Sequence, residues 1–373
     1  WVAAREVSPD PKPLRVPQPN EPIRIVEKLA PVSITRIGEK KHLIDFGQNL
    51  PGWVALKMKG SRGDKVTVRH AEMLENDTTI YVTNLRGAPQ VDRYVLDGTD
   101  RWYRPHFTYH GFRYVEVDGI ADLHAGAVEA QVFCSSSPDA ASFETSSPMV
   151  NRLWKNIFWT QRANLMSVPT DCPQPDERLG WTGDILAYAP TASYFMDMAA
   201  FYTKWMPDMR DAQAVFGAYP DFAPHPYGKD RHFTSAPGWG DAGVGVPHTH
   251  YRFYGDTRLV REHHASMAKY LDYVLSRNPD GLWLKDRRND YGDWLNGDTL
   301  VREGYPRTGA EAPKEVFATL VLYRSLAQMA ELSKAIGRPH QRWLNEAAKV
   351  AAAFKTAYVD AEGKIKGDTQ AGY

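Results

Sequence analysis

The chain has 373 residues, 45 lysines and arginines balanced by 45 aspartates and glutamates, and two cysteines. This length is enough for two or three domains with sizeable cores, and the composition is that of a globular protein rather than a disordered or fibrous one. Because the charges cancel, no overall field would attract nucleic acid or an anionic membrane. We therefore expect a neutral or small partner, no nucleic acid and no membrane, and we leave the oligomeric state open.

The sequence leaves the cellular compartment open as well. The two cysteines are too few for a disulfide framework, and the apolar run over residues 185–196 is too short to span a membrane and contains a proline. No basic segment followed by an apolar stretch stands at the start, and the first residue is Trp1 rather than methionine. We therefore predict a soluble protein, cytoplasmic or exported.

The first part of the chain has the pattern of short strands. A proline-rich lead-in over residues 1–20 is followed, over residues 21–140, by apolar and polar residues that alternate with period two. Glycines between these segments suggest turns, because glycine tolerates positive φ. Many short strands without intervening helices predict an antiparallel β-sandwich. The segments that carry this prediction are residues 44–46, 53–56, 66–68, 94–96 and 112–117, with turns expected at Gly47, Pro51-Gly52, Gly60, Gly63, Gly98 and Gly119.

Residues 141–373 change to a helical pattern. Ser146 and Ser147 can cap a helix and Pro148 suits its first turn, after which Val150, Leu153, Trp154 and Ile157 share one predicted apolar face. Long loops separate the helices, and long ordered loops on a helical scaffold are where functional residues tend to lie. Further helices are predicted over residues 185–196, 198–213, 256–277 (capped by Asp256), 315–335 and 338–357, with loops over 167–184, 214–242 and 278–312.

The loop over residues 171–184 has the highest density of reactive side chains. It holds four carboxylates, an arginine, two glycines and Trp181 within fourteen residues. An apolar ring beside carboxylates suits a sugar, whose C–H face packs on the ring while its hydroxyls donate to oxygens. Such a ring also desolvates a neighbouring carboxyl, which can then stay protonated as a general acid. The alternative is a capped helix start, with Asp184 as the cap and Asp176 paired with Arg178 on the surface.

Two later loops repeat this combination of tryptophan and aspartate. Trp239 lies two residues before Asp241, and Asp293 directly precedes Trp294, with glycines alongside. Each loop taken singly is explained as well by an aspartate that caps and a tryptophan that packs. The three loops together favour one carbohydrate site.

No metal or cofactor is predicted. The close histidine pairs lack the spacing that places two imidazoles on one helix face, and we expect His263 and His264 on an exposed helix surface. Cys172 is predicted to be a packing residue, because the charge of Asp171 beside it would raise the pKa of the thiol.

These motifs resemble those of the bacterial α-L-rhamnosidases of glycoside hydrolase family 78. The resemblance lies in the loop over residues 171–184, in Trp239-Gly240-Asp241-Ala242 and Gly292-Asp293-Trp294-Leu295, and in the strand segments 44–53 and 107–114. It implies a β-sandwich followed by an (α/α)6 barrel, and inverting hydrolysis of terminal α-L-rhamnose. Pro175 departs from the family, which often has arginine there.

The resemblance also implies roles for individual residues. Glu177 would be the general acid, Asp171, Asp184 and Asp241 would bind substrate, and Trp181, Trp239 and Trp294 would form the walls of the site. About seven helical segments are counted, against twelve in a closed barrel, and the family's general base comes from the later half. We therefore expect an incomplete barrel, a base beyond residue 373, and an isolated piece with little activity. The alternatives are a helical-barrel glycosidase or lyase for another sugar, and a non-catalytic carbohydrate-binding protein.

Overall fold

The structure is a computed structural model that describes residues 3–8, 15–227, 232–295, 312–369 and 372–373. Parts of the sequence predictions lie outside these residues: residues 1–2 and 9–14 of the lead-in, residues 228–231 and 296–311 of the predicted loops, and residues 370–371 near the end of the helical region. The lead-in residues that are described form no strand or helix. The described strands are β1 (Ile23–Leu29), β2 (Ser33–Arg36), β3 (Lys41–Met58), β4 (Lys65–Ala71), β5 (Met73–Asn76), β6 (Thr79–Tyr81), β7 (Val91–Val95), β8 (Arg101–Tyr103), β9 (His110–Asp118) and β10 (Val128–Ser135).

Eight of these strands form one antiparallel sheet, in the order β1-β10-β3-β9-β4-β7, with β2 and β8 paired to β3. Strands β5 and β6 form a separate hairpin. The predicted strand segments all fall in or beside these strands, which confirms an antiparallel β domain. Their alternation works because every second side chain points into one core. That core contains Ile44, Val54, Leu56, Val66, Val68, Phe112, Val115, Val117 and Val132, all buried.

The turns predicted at Gly47 and Pro51-Gly52 were wrong, because both lie inside the long strand β3. Gly47 has φ +69°, and the register between β3 and β9 shifts between Asp45 and Leu50. At Gly52 a Cβ atom would lie 2.0 Å from the Gln131 carbonyl oxygen. These glycines therefore allow a bulge and a close strand contact, which have the same sequence signature as a turn.

The rest of the chain is helical. The described helices are α1 (Pro148–Asn164), α2 (Thr182–Phe195), α3 (Ala199–Asp211), α4 (Ala242–Tyr254), α5 (Thr257–Arg277), α6 (Lys314–Ala335) and α7 (Gln341–Tyr358). Ser147 caps α1 and Asp256 caps α5, as predicted. The predicted apolar face of α1 is only half right: Trp154 and Ile157 pack on the helical core, whereas Val150 and Leu153 are exposed.

Helix α4 was missed by the sequence patterns, although it lies at the centre of the helical part and contacts α2, α3, α5 and α6. It contains Gly243, Gly245 and Pro247, which lower helix propensity. A Cβ at Gly243 would lie 2.1 Å from the Tyr219 ring. Close packing of neighbours around small residues therefore stabilises this helix, rather than its own propensity.

The prediction that His263 and His264 lie on an exposed surface was wrong. Helix α5 packs between α3 and α6 and buries both rings. His264 contacts the Ser333 hydroxyl through Nε2 at 2.9 Å and Arg338 through Nδ1 at 3.0 Å. Burial lowers the pKa of His263 to about 4, and nearby Arg210 adds to this effect.

Because the His263 imidazole is buried, we expect the protein to lose stability as the pH falls. An unfolded histidine titrates near 6.5, so between about pH 6.5 and 4 the unfolded chain binds a proton at residue 263 that the folded chain does not. The free energy of unfolding should fall across that interval, by about 3 kcal/mol from this group. Urea denaturation between pH 4.5 and 7 should show that the free energy of unfolding of His263→Gln depends less steeply on pH than that of the unsubstituted protein. The exposed control His106→Gln should keep the slope of the unsubstituted protein, and equal slopes in all three would contradict this assignment.

Candidate active site

The loop over residues 171–184 folds back on itself at Asp171. The Asp171 amide donates to the Leu179 carbonyl at 3.1 Å, and the Leu179 amide donates to Asp171 Oδ1 at 2.9 Å. The Cys172 thiol donates to Asp171 Oδ2 at 2.7 Å. Burial, and then this hydrogen bond, raise the pKa of the thiol, in the predicted direction. Both oxygens of Asp171 are thus engaged, and the loop is fixed at its base.

The loop then leads into α2, and the turn brings three carboxyl groups close together. Trp181 is the N-cap residue, so Asp184 lies in the first helical turn rather than at the cap. Burial, together with the charges of Asp171 and Glu177, raises the pKa of Asp184 to about 6. Burial is also the main cause of a raised pKa at Asp171. Glu177 is half-buried, and Arg86, which lies in the domain formed by strands β1–β10 (the sheet domain), donates to its Oε2 at 2.7 Å.

Residues from all three tryptophan-containing loops meet at one cavity. Its volume is about 420 Å³, within the range of small-molecule sites. The cavity is lined by Gly183, Asp184, Gly238, Trp239, Asp293, Trp294, Phe317 and Arg324, among others. Asp184 also lines an adjoining cavity of about 270 Å³, together with Asp171, Gln161 and Tyr188. Aromatic rings and carboxylates therefore share one concave surface.

Tyr291 joins the three predicted tryptophans and was not singled out from the sequence. Its ring centroid lies 4.5 Å from that of Trp239 and 5.9 Å from those of Trp181 and Trp294. Its hydroxyl donates to Asp221 Oδ2 at 3.1 Å. Trp181 thus packs in an aromatic cluster behind the cavity, whereas Trp239 and Trp294 line it.

Asp221 is the second residue that sequence patterns missed. It is fully buried and accepts from the Ala236 amide, from Asn289 Nδ2 and from the Tyr291 hydroxyl. Burial raises its pKa to about 6. No local motif marks this residue, because its partners come from loops 15 to 70 residues away.

Asp241 is not brought into the cavity with Trp239. It is buried, and its Oδ1 accepts from the Ser325 hydroxyl at 2.7 Å while its Oδ2 accepts from the Gly238 amide at 2.9 Å. Burial is the main cause of its raised pKa. Asp241 therefore holds the turn that presents Trp239.

Two groups of side chains in the described part of the chain come close enough to be considered as metal sites. One is Asp171, Cys172 and Glu177, in which the thiol is already donating to a carboxylate. The other is His70, Asp92 and His110 in the sheet domain. The two imidazole rings stack with centroids 4.0 Å apart at 21°, so their in-plane nitrogen lone pairs lie in two nearly parallel planes, and the His110 nitrogens already contact Gln90 and Asp92. Neither arrangement gives us reason to assign a metal.

Both parts of the chain match known protein domains. Residues 138–373 match the model of the bacterial alpha-L-rhamnosidase six-hairpin glycosidase domain, and residues 35–135 match that of the bacterial alpha-L-rhamnosidase concanavalin-like domain. The chain belongs to the bacterial alpha-L-rhamnosidase family. It is 41% identical to an alpha-L-rhamnosidase of Streptomyces avermitilis and 31% identical to one of Alteromonas sp., over its whole length. It spans 35% and 40% of the length of these two relatives.

Solved structures of rhamnosidases share the fold. The crystal structure of the Streptomyces avermitilis alpha-L-rhamnosidase in complex with L-rhamnose superposes with a TM-score of 0.88, over 96% of this chain and 33% of that one. The alpha-L-rhamnosidase of Aspergillus terreus, 32% identical, superposes with a TM-score of 0.87 over 97% of this chain and 42% of that one. The rhamnosidase fold thus covers both the sheet domain and the helical part.

No helix in the described part of the chain is long and apolar enough to cross a membrane.

Proposed function

We propose that the protein hydrolyses terminal, non-reducing α-L-rhamnose residues of rhamnosides. The observation that carries this proposal is the shared cavity, in which Asp184 faces Trp239 and Trp294, with Glu177 on the same loop as Asp184, in a member of the rhamnosidase family. Rhamnose is a neutral deoxy sugar with an apolar methyl group, which suits aromatic walls. Its hydroxyls suit the carboxylates.

We assign the general acid to Glu177, which would protonate the glycosidic oxygen as the bond to the sugar breaks. Asp184 and Asp171 would bind hydroxyls of the sugar, and Trp239 and Trp294 would pack on its faces. Trp181 would support those walls through the aromatic cluster. For Asp241 we propose an indirect role in binding, through the turn that it holds.

The same proposal includes the finer features that the resemblance implies. The sheet domain, residues 21–140, would be a sandwich, and residues 141–373 would form the first part of an (α/α)6 barrel. Hydrolysis would invert the anomeric configuration, with a water activated by a second carboxylate about 6.5–9.5 Å from the acid. We expect that base from the later half of the barrel.

The test is hydrolysis by the full-length gene product of a panel of 4-nitrophenyl glycosides. We expect release of 4-nitrophenol from the α-L-rhamnoside at least 100-fold faster than from the α-L-fucoside, α-L-arabinoside or β-D-glucoside. Proton NMR of the first product should show β-L-rhamnose. Faster hydrolysis of another glycoside would favour a glycosidase for a different sugar. Rhamnose binding without any hydrolysis would favour a non-catalytic carbohydrate-binding protein.

A further inference from the structure

A single turn of the sheet domain reaches the proposed acid. Arg86 follows the 3₁₀ turn Thr83–Leu85, between β6 and β7, and lies 91 residues before Glu177 in the chain. Its backbone has φ +54°, a conformation that residues other than glycine seldom adopt and that persists only where the surroundings hold it. The turn therefore has a fixed shape that directs this side chain.

The guanidinium of Arg86 binds two successive carboxylates of the loop. Its Nη2 donates to Glu177 Oε2 at 2.7 Å, and its Nε pairs with Asp176 Oδ1 at 2.9 Å. The Gly87 amide donates to Asp176 Oδ2 at 3.1 Å. A Cβ at residue 87 would lie 2.6 Å from that oxygen, so glycine permits the approach. The planar guanidinium suits this two-carboxylate contact, which an ammonium group would not reproduce.

The rest of the loop is attached to the sheet domain by groups that do not touch Glu177. Arg178 donates to the Tyr109 carbonyl at 2.9 Å, and its guanidinium lies 4.6 Å from the centre of the Tyr109 ring. Gln90 donates to the Gln174 carbonyl. The loop as a whole is thus anchored independently of Arg86. Asp176 would keep its hydrogen bond from the Gly87 amide, so removing Arg86 should mainly change the orientation of the Glu177 carboxyl group and not the fold of the loop.

We propose that Arg86 is a positioning residue that sets which oxygen of Glu177 delivers the proton. This inference rests on the proposed function. Because Oε2 accepts from the guanidinium, the transferable proton is carried on Oε1. In the reaction, that proton passes from Oε1 to the glycosidic oxygen, and the electron pair of the breaking C1–O bond stays on that oxygen. As the C1–O bond breaks, a water oxygen forms the new bond to C1 from the opposite face of the sugar and gives its proton to the second carboxylate. The carboxylate left at Glu177 is stabilised by the fixed charge of Arg86.

The contact between Arg86 and Glu177 is suited to orienting the carboxyl group rather than to stabilising the fold. The Arg86 side chain is 53% exposed, and exposed ion pairs add little to the free energy of unfolding. Variants at residue 86 should therefore fold and keep the cavity for the sugar. Arg101 provides a matched control in the same domain, because its side chain is 57% exposed and its Nε pairs with Asp97 at 3.0 Å.

The experiment compares Arg86→Met, Arg86→Lys and the control Arg101→Met in the full-length gene product, with rhamnosides of graded leaving groups. For methyl α-L-rhamnoside, whose leaving group needs a proton, we expect kcat of Arg86→Met to fall about 10- to 100-fold with KM changed less than about threefold. The leaving group of 2,4-dinitrophenyl α-L-rhamnoside departs without a proton. For this substrate kcat should fall less than about threefold. Arg86→Lys should be intermediate, and Arg101→Met should match the unsubstituted enzyme.

An equal loss of kcat on both substrates, or no loss on either, would overturn the role of Arg86. Urea denaturation of each variant shows whether the fold is kept. An Arg86 variant that unfolds at a lower urea concentration and loses activity equally on both substrates would show that Arg86 has a purely structural role. An unsubstituted protein that hydrolyses no rhamnoside would instead contradict the proposed function itself, so the two failures are distinguishable.

Discussion

Glu177→Gln should abolish most hydrolysis while leaving rhamnose bound. Glutamine keeps the shape of the side chain and can still accept from Arg86, but it has no proton of suitable acidity to give to the leaving oxygen. General acid catalysis contributes roughly 10²- to 10⁴-fold, and we expect a loss of that size in kcat on methyl α-L-rhamnoside. The loss on the 2,4-dinitrophenyl rhamnoside should be much smaller. The dissociation constant for L-rhamnose, measured by calorimetry, should change less than about threefold.

The control for this substitution is Glu262→Gln. Glu262 is also a glutamate paired with an arginine, Arg210, at 3.0 Å, but it lies on the surface of helix α5. Its kinetics should match those of the unsubstituted enzyme. If Glu177→Gln retained turnover on methyl α-L-rhamnoside, Glu177 would not be the acid, and the inference about Arg86 would fall with it.

Gly183→Ala should damage the cavity with a single methyl group. A Cβ at residue 183 would lie 2.5–2.7 Å from atoms of the Trp239 ring, which is buried and packed against Tyr291. Alanine favours a helix over glycine, so any loss comes from the clash and not from helix α2 itself. We expect kcat/KM to fall about 10- to 100-fold, with weaker rhamnose binding and an unfolding free energy lower by about 1–3 kcal/mol.

Gly126→Ala is the matched control for this clash. A Cβ at residue 126 would lie 3.4 Å from the His124 ring, an ordinary contact, and the residue belongs to a 3₁₀ turn of the sheet domain. Activity and stability should stay close to those of the unsubstituted protein. Full activity and rhamnose affinity in Gly183→Ala would mean that Trp239 does not form a wall of the sugar site.

The sequence predicted those parts of the molecule whose cause is local. The strand around Val66 alternates between buried and more exposed side chains, and the caps Ser147 and Asp256 precede their helices as expected. The tryptophans that line the cavity could be chosen because glycine and aspartate accompany them. Each of these features depends on residues within a few positions of one another.

The parts that escaped prediction depend on distant contacts. Helix α4 forms in spite of its glycines because four other helices enclose it. Arg86 meets Glu177 across 91 residues, and Tyr291 meets Trp239 across more than fifty. Asp241 lies beside tryptophan and glycine, as Asp293 does. Its carboxylate nevertheless accepts a hydrogen bond from the Ser325 hydroxyl and does not line the cavity. Only the packed structure distinguishes these cases.

A crystal structure of full-length Glu177→Gln with a bound rhamnoside would show whether rhamnose binds between Trp239 and Trp294 beside residue 177. We predict the sugar ring against the two tryptophans, its hydroxyls on Asp184 and Asp171, and its glycosidic oxygen within about 3.2 Å of the residue 177 amide, the reach of a hydrogen bond. A rhamnoside bound elsewhere would contradict the proposed sugar site, and a glycosidic oxygen out of reach of residue 177 would contradict the proposed acid.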